Sequence, residues 1–153
     1  MNTSNFTSTT SNTISPFMKL VSDTGMVVLR CDAKGKLIAS ENSDWLIDLL
    51  SASPLVRIAI TSNCAAWNAQ QELKPAEAFQ GVWLVPVRNA NARRNSGFII
   101  GVIVTDALCT SEYLHALCQA SDADTTVVRD MLVSMSPVAA HDVARVASLF
   151  QFA

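Results

Sequence analysis

A chain of 153 residues, half of them hydrophobic and 16% charged, with a formal net charge of -2, is long enough to bury a sizeable core as one domain. That balance excludes a disordered chain, which needs low hydrophobicity and high net charge. It also argues against nucleic acid as a partner, since non-specific binding rests on a basic surface. The mean hydropathy is +0.27. Even so, the longest apolar stretch, Phe98 to Val104 with its glycine, falls far short of the roughly 20 residues that span a bilayer, so no membrane partner is expected.

Residues 1–16 carry Ser, Thr or Asn at twelve of sixteen positions. Such a tract cannot bury enough apolar area to offset chain entropy, and it reads as a disordered tail. It lacks the basic start, apolar segment and small-residue cleavage site of a secretion signal. Without Arg it does not read as a mitochondrial presequence either, so the expected compartment is the cytoplasm. Ser15-Pro16 then opens a short helix, a capping hydroxyl followed by proline at the first helical position, and Gly25 stops it.

Met26 to Cys31 and Lys36 to Ser40 are β-rich runs. Between them, Asp32-Ala33-Lys34-Gly35 has Asp first and Gly last, the pattern of a type I turn closing a hairpin. Asn42-Ser43-Asp44 offers caps to a helix over 45–52, with Trp45, Leu46, Leu49 and Leu50 facing inward. Ser53-Pro54 repeats the Ser-Pro start and opens 55–71. Alternation of Val56, Ile58 and Ile60 makes a strand a competitor there. The cap and a stripe of Leu55, Ile58, Ala59, Ser62, Ala66 and Ala69 favour a helix.

Residues 72–79 read as a polar connection containing a proline. Gly81 to Arg88 and Gly97 to Thr105 read as two strands joined by an Asn-rich loop of eight residues, long for a hairpin but not unusual. Both strands are apolar on both faces, which places them in the middle of a sheet covered on both sides. Pro86 lacks an amide donor, so the strand should have an edge or irregular end near it.

The last third is helical. Thr110 or Ser111 caps a helix with Leu114, Leu117 and Cys118 on one face, and Asp122 or Asp124 starts another at 125. Ser136-Pro137 opens a final helix whose stripe is Ala139, Val143, Val146, Ala147 and Phe150. That stripe persists to the last residues, which suggests a partner surface or a chain that continues in a longer protein. Val143, Val146, Ala147 and Phe150 are therefore the expected dimer or partner face.

The four cysteines (Cys31, Cys64, Cys109 and Cys118) are even in number and would permit two disulfides. Their surroundings are apolar or helical, and a core of this size needs no staples. Buried free thiols are expected.

The order helix, hairpin, helices, hairpin, helices defines an α+β fold with a central antiparallel sheet covered by helices. The hairpin VVLRCDAKGKLIAS, the helices after it, and the strands GVWLVPVR and GFIIGVIVT resemble a GAF-like (PAS-related) sensor domain. More narrowly, they resemble the input domain that precedes bacterial signalling effectors such as HD-GYP-type cyclic-di-GMP phosphodiesterases. The resemblance covers residues 17–121 and makes 122–153 connector helices to an effector. Such folds have five or six strands, of which four are legible. The His-Asp metal motif of the phosphodiesterase is absent, leaving only the isolated His141-Asp142. The resemblance implies a ligand cavity between the sheet and a helical cover, for which Asn63, Trp67 and Trp83 supply stacking area and a polar anchor.

Other constellations carry less chemistry. Cys109, His115 and Cys118 could approach a metal, but zinc takes four ligands and the paired short cysteine spacings are missing. His141 and Asp142 would point about 100° apart on a helix, so they share no ligand. A cysteine nucleophile needs a nearby base and a third orienting group, and both histidines lie in the C-terminal helices. No glycine-rich phosphate loop is present. Arg88, Arg93 and Arg94 concentrate charge in one loop; they could grip a phosphate or carboxylate or keep the hairpin soluble. The expectation is therefore a non-enzymatic sensory or regulatory input domain without metal or cofactor. It would bind a small-molecule ligand, dimerise, or act on a fused effector through its C-terminal helices. The alternative is a structural interaction module whose pocket has closed.

Overall fold

β1 (Val27–Cys31) and β2 (Leu37–Ile38) form the first hairpin. Asp32 closes its turn: one carboxylate oxygen accepts the Lys34 and Lys36 amides at 2.9 and 3.0 Å, and the Asp32 carbonyl accepts from Gly35 N at 3.0 Å. Gly35 takes φ +87°, which a side chain would resist. This computed structural model describes residues 26–38, 44–69, 73–88, 97–135 and 137–152. The Ser/Thr/Asn tail, the helix expected after Ser15-Pro16, Arg93 and Arg94 lie outside the described residues.

Two helices follow, α1 (Trp45–Ala52) and α2 (Pro54–Ala69). Asp44 caps α1 by accepting Leu46 N at 2.7 Å, and Leu46, Leu49 and Leu50 are buried, with Trp45 half-buried beside them. Segment 54–69 is helical, but its inward stripe is Val56, Ile60, Cys64 and Trp67. The expected stripe is turned away: Ile58 is 63% exposed and Leu55 38%. The helix orients by its largest burial, and the indole of Trp67 with Val56, Ile60 and Cys64 outweighs Leu55, Ile58 and a row of small residues. Ser53 does not cap α2 either, since its hydroxyl is buried without a hydrogen-bond partner among the described residues.

β3 (Ala76–Phe79), β4 (Val82–Arg88) and β5 (Phe98–Val104) complete a five-stranded antiparallel sheet in the order β2-β1-β5-β4-β3. β3 corrects the reading of 72–79 as a connection. Its sequence AEAF has little strand propensity, and pairing with β4 supplies what propensity does not. Gly81 turns the β3–β4 hairpin at φ +93°, and a Cβ there would run into the backbone of Leu108. Pro86 sits opposite Ile100 on β5, past the end of β3, whose pairing with β4 reaches only Leu84. Its carbonyl is taken by the Gln151 side chain at 3.1 Å. The missing amide thus falls where no strand needs it, as expected.

The sheet is covered on both faces, which explains strands apolar throughout. Val27, Leu29, Cys31, Val82, Leu84, Phe98, Ile100, Val102 and Val104 point to the side of α1 and α2. Val85 and Ile103 point to the other, with Val28, Trp83, Val87 and Ile99 half-buried around them. After β5 come α3 (Asp106–Cys109), α4 (Glu112–Ala120) and α5 (Thr125–Ser134). Ser111 caps α4 through Tyr113 N at 3.1 Å, and Asp124 caps α5 through Val127 N at 3.1 Å. Leu114, Leu117, Cys118, Val128 and Leu132 join the α1–α2 core.

The chain then crosses to the other face. Residue 137 onward is extended, not helical: Val138 forms a parallel bridge with Thr105 at the end of β5, and its carbonyl accepts Asp106 N at 3.1 Å. A 3-10 turn (Ala140–Asp142) leads into α6 (Val143–Phe152). Ala139 is therefore not part of the terminal stripe. Val143, Val146, Ala147 and Phe150 are all buried against Met26, Val85 and Ile103. Within residues 122–153, α5 packs in one core layer and α6 in the other.

Candidate functional site

The residues expected to line a pocket are divided by the sheet. Trp67 lies on the α2 side and is 2% exposed. Its ring meets Phe98 edge-on at 5.7 Å between centroids, and its Nε1–H donates to the Lys74 carbonyl at 2.9 Å. An indole with its polar handle satisfied and its faces packed is a core group. Trp83 is half-buried on the opposite face, packed with the α6 cluster; consecutive strand residues alternate, and Leu84 and Val82 hold the α2 side. The two tryptophans do not converge.

Asn63 is half-buried and donates to the Ala59 carbonyl, one turn back on its own helix, at 2.8 Å. Arg88 reaches over the core edge. Its guanidinium donates to the Trp67 carbonyl at 3.2 Å and lies 5.4 Å above the Phe98 ring, a cation–π arrangement. Arg88 thus seals the end of α2 against β4 and β5. Trp67, Phe98 and Arg88 pack together at the edge of the core, while Asn63 bonds back to its own helix. An open groove of about 380 Å³ lies instead on the outer side of α2, lined by Pro54, Arg57, Ile58, Thr61 and Ser62.

The expected partner face is likewise closed from within. Val143, Val146, Ala147 and Phe150 are 5% exposed or less, because Gly101 in β5 leaves room for the Phe150 ring. A Cβ at Gly101 would come within 2.8 Å of it. The sides of α6 that do face outward carry Leu149 and Phe152, the latter 86% exposed.

The titratable groups do not assemble around these positions. His115 is exposed and bonded to Thr125 Oγ1 at 3.2 Å. His141 sits on the 3-10 turn, 3.8 Å from the carboxylate of Asp142, which also meets Arg145 at 3.6 Å. Among the described residues no three His, Cys, Asp or Glu side chains converge as a metal would require. Burial pushes the thiols of Cys109 and Cys118 up.

The contact missed from the sequence is a pair of thiols. Cys31 Sγ and Cys64 Sγ lie 3.6 Å apart beneath the hairpin turn. The contact between them draws the Cys31 thiol down and, together with burial, pushes Cys64 up. Two signals pointed there. Cys31 shares the alternation of Val27 and Leu29, and Cys64 follows Val56 and Ile60 at helical spacing.

No family model matches the chain, and no curated protein or solved structure is significantly similar to it. Among the described residues no single helix is long and apolar enough to cross a membrane; α1 and α2 reach that composition only together, across a 74° bend.

Proposed function

We propose that the chain is a non-enzymatic regulatory input domain of the GAF/PAS type from a bacterial signalling protein, and that it works through protein contact rather than by enclosing a small ligand. The observation that carries this reading is the filled space beneath α2. Trp67, Ile60, Cys64 and Phe98 occupy the room a ligand would take. Five antiparallel strands with helices between the second and third are in keeping with that fold type.

The contact route runs through α6. Its buried side rests on β4 and β5 through Phe150 and Val146, while Leu149 and Phe152 face outward. A second copy of the chain, or a fused effector, that engages the outward side can shift the helix against the sheet. Analytical ultracentrifugation over a concentration series tests this. The expected result is a dimer weakened by Phe152→Ser with an unchanged circular dichroism spectrum. A monomer at every concentration, with saturable quenching of tryptophan fluorescence by a small molecule, would return the ligand-enclosing reading.

A further inference from the structure

We propose that Cys31 and Cys64 are a redox-modified pair, which a hydroperoxide closes into a disulfide that fastens the β1–β2 hairpin to α2. The geometry comes from two independent elements. Cys31 is the last residue of β1 and points to the α2 side of the sheet; Cys64 lies on the inward stripe of α2. Their sulfurs stand 3.6 Å apart. The gap left to a bond of about 2.0 Å is smaller than the movement of a sulfur on changing rotamer.

The pair is covered rather than entombed. Each cysteine is 1% exposed, and the cover is the turn of the hairpin. Gly35 lies so close that a Cβ on it would sit 3.3 Å from Cys64 Sγ and 2.7 Å from Thr61 Cα. One side-chain bond holds the turn down, Asn68 Nδ2 to the Ala33 carbonyl at 2.8 Å; the Thr61 hydroxyl lies 3.4 Å from the Gly35 carbonyl, with the Arg57 carbonyl of its own helix nearer at 3.0 Å. β2 beyond it is two residues long. Lifting such a turn is a local opening, far cheaper than unfolding the domain.

The two thiols have different parts. The contact with Cys64 and a backbone bond from Phe98 hold the Cys31 thiol below its usual range against the opposing effect of burial. Cys31 is the thiolate that attacks the hydroperoxide. The sulfur–oxygen bond forms, the oxygen–oxygen bond breaks, and the alcohol or water leaves with the proton that Cys31 released. Cys64 sulfur then attacks the sulfenic sulfur. The sulfur–sulfur bond forms, the sulfur–oxygen bond breaks, and the oxygen leaves as water with the Cys64 proton. Two thiols lose two electrons and the hydroperoxide takes them up. This step does not depend on the signalling role proposed above.

The test treats the fully reduced wild-type chain with hydrogen peroxide, alkylates the remaining thiols in denaturant, and maps tryptic peptides without reduction. The expected result is loss of two of the four thiols and a peptide 31–34 joined to peptide 58–88, both freed by dithiothreitol. Cys109 and Cys118 stay alkylated and serve as the internal control. In Cys64→Ser, dimedone should trap a sulfenic acid on Cys31. Four intact thiols after peroxide, a Cys109–Cys118 link, or sulfinic acid on Cys31 without the joined peptide would each overturn the proposal.

Discussion

Replacing Trp67 with alanine is expected to destabilise the fold by about 3–5 kcal/mol, the usual cost of truncating a buried tryptophan. Three losses combine in that figure. Trp67 is 2% exposed, so truncation forfeits nearly all of its buried apolar area and leaves a cavity. The edge-on contact with Phe98 at 5.7 Å adds about 0.5–1.5 kcal/mol beyond area. The Lys74 carbonyl, bonded at 2.9 Å, loses its donor, and a net hydrogen bond is worth about 1 kcal/mol. Since a domain holds only about 5–15 kcal/mol in all, Trp67→Phe serves as the milder partner. It keeps a ring and gives up the N–H, for an expected loss of about 1–2 kcal/mol. Urea unfolding followed by far-ultraviolet circular dichroism reads both without relying on tryptophan emission. A Trp67→Ala variant within about 0.5 kcal/mol of wild type, the range of surface substitutions, would refute the packed-core assignment and reopen the pocket.

Phe150→Ala should cost about 3–5 kcal/mol by the same reasoning, and hydrogen exchange should show the loss first in the amides of α6, leaving those of α2 slower. Gly81→Ala combines positive φ with a clash at Leu108; a loss of about 1–3 kcal/mol should appear in the urea midpoint, and a midpoint equal to wild type would mean the β3–β4 turn is not pressed against α3. The Asp32 carboxyl is held below its ordinary range chiefly by the Lys36 amide, then by that of Lys34. Its contribution to the hairpin is therefore complete above about pH 4 and fades as pH falls through the lower folded value. The stability difference between wild type and Asp32→Ala, measured from neutral to acid pH, should shrink on acidification; a constant difference would contradict the turn geometry.

The fold was legible where local chemistry and packing agree. Asp32 and Gly35 mark the first hairpin, and Asp44, Ser111 and Asp124 all cap the helices they precede. The doubly apolar strands 82–88 and 98–104 announced a sheet covered on both sides. Three features were hidden because non-local contacts decide them. AEAF becomes β3 only because β4 needs a neighbour. Val138 bridges Thr105 just past β5 instead of opening a helix, held by the Asp106 amide on its carbonyl. α2 rotates its stripe to bury Trp67, which no count of small residues reveals. The candidate site was less legible. Trp67 and Trp83 look like neighbours in sequence terms, and only the alternation of β4 shows that they stand on opposite faces. The apolar stripe of Val143, Val146, Ala147 and Phe150 was visible, but its partner was the chain's own sheet.

The crossing at Val138 also sets an order of assembly. During synthesis α6 leaves the ribosome after the strands it covers, so the face made by Met26, Val85 and Ile103 lacks its α6 cover until then. Sheets with bare apolar faces are prone to aggregate while they wait. The hairpins and the α1–α2 layer can assemble around one core early, whereas the second core waits for the ten residues of α6. Chains interrupted before Val143 should accordingly collect in the insoluble fraction or on chaperones, since they cannot seat Phe150 above Gly101.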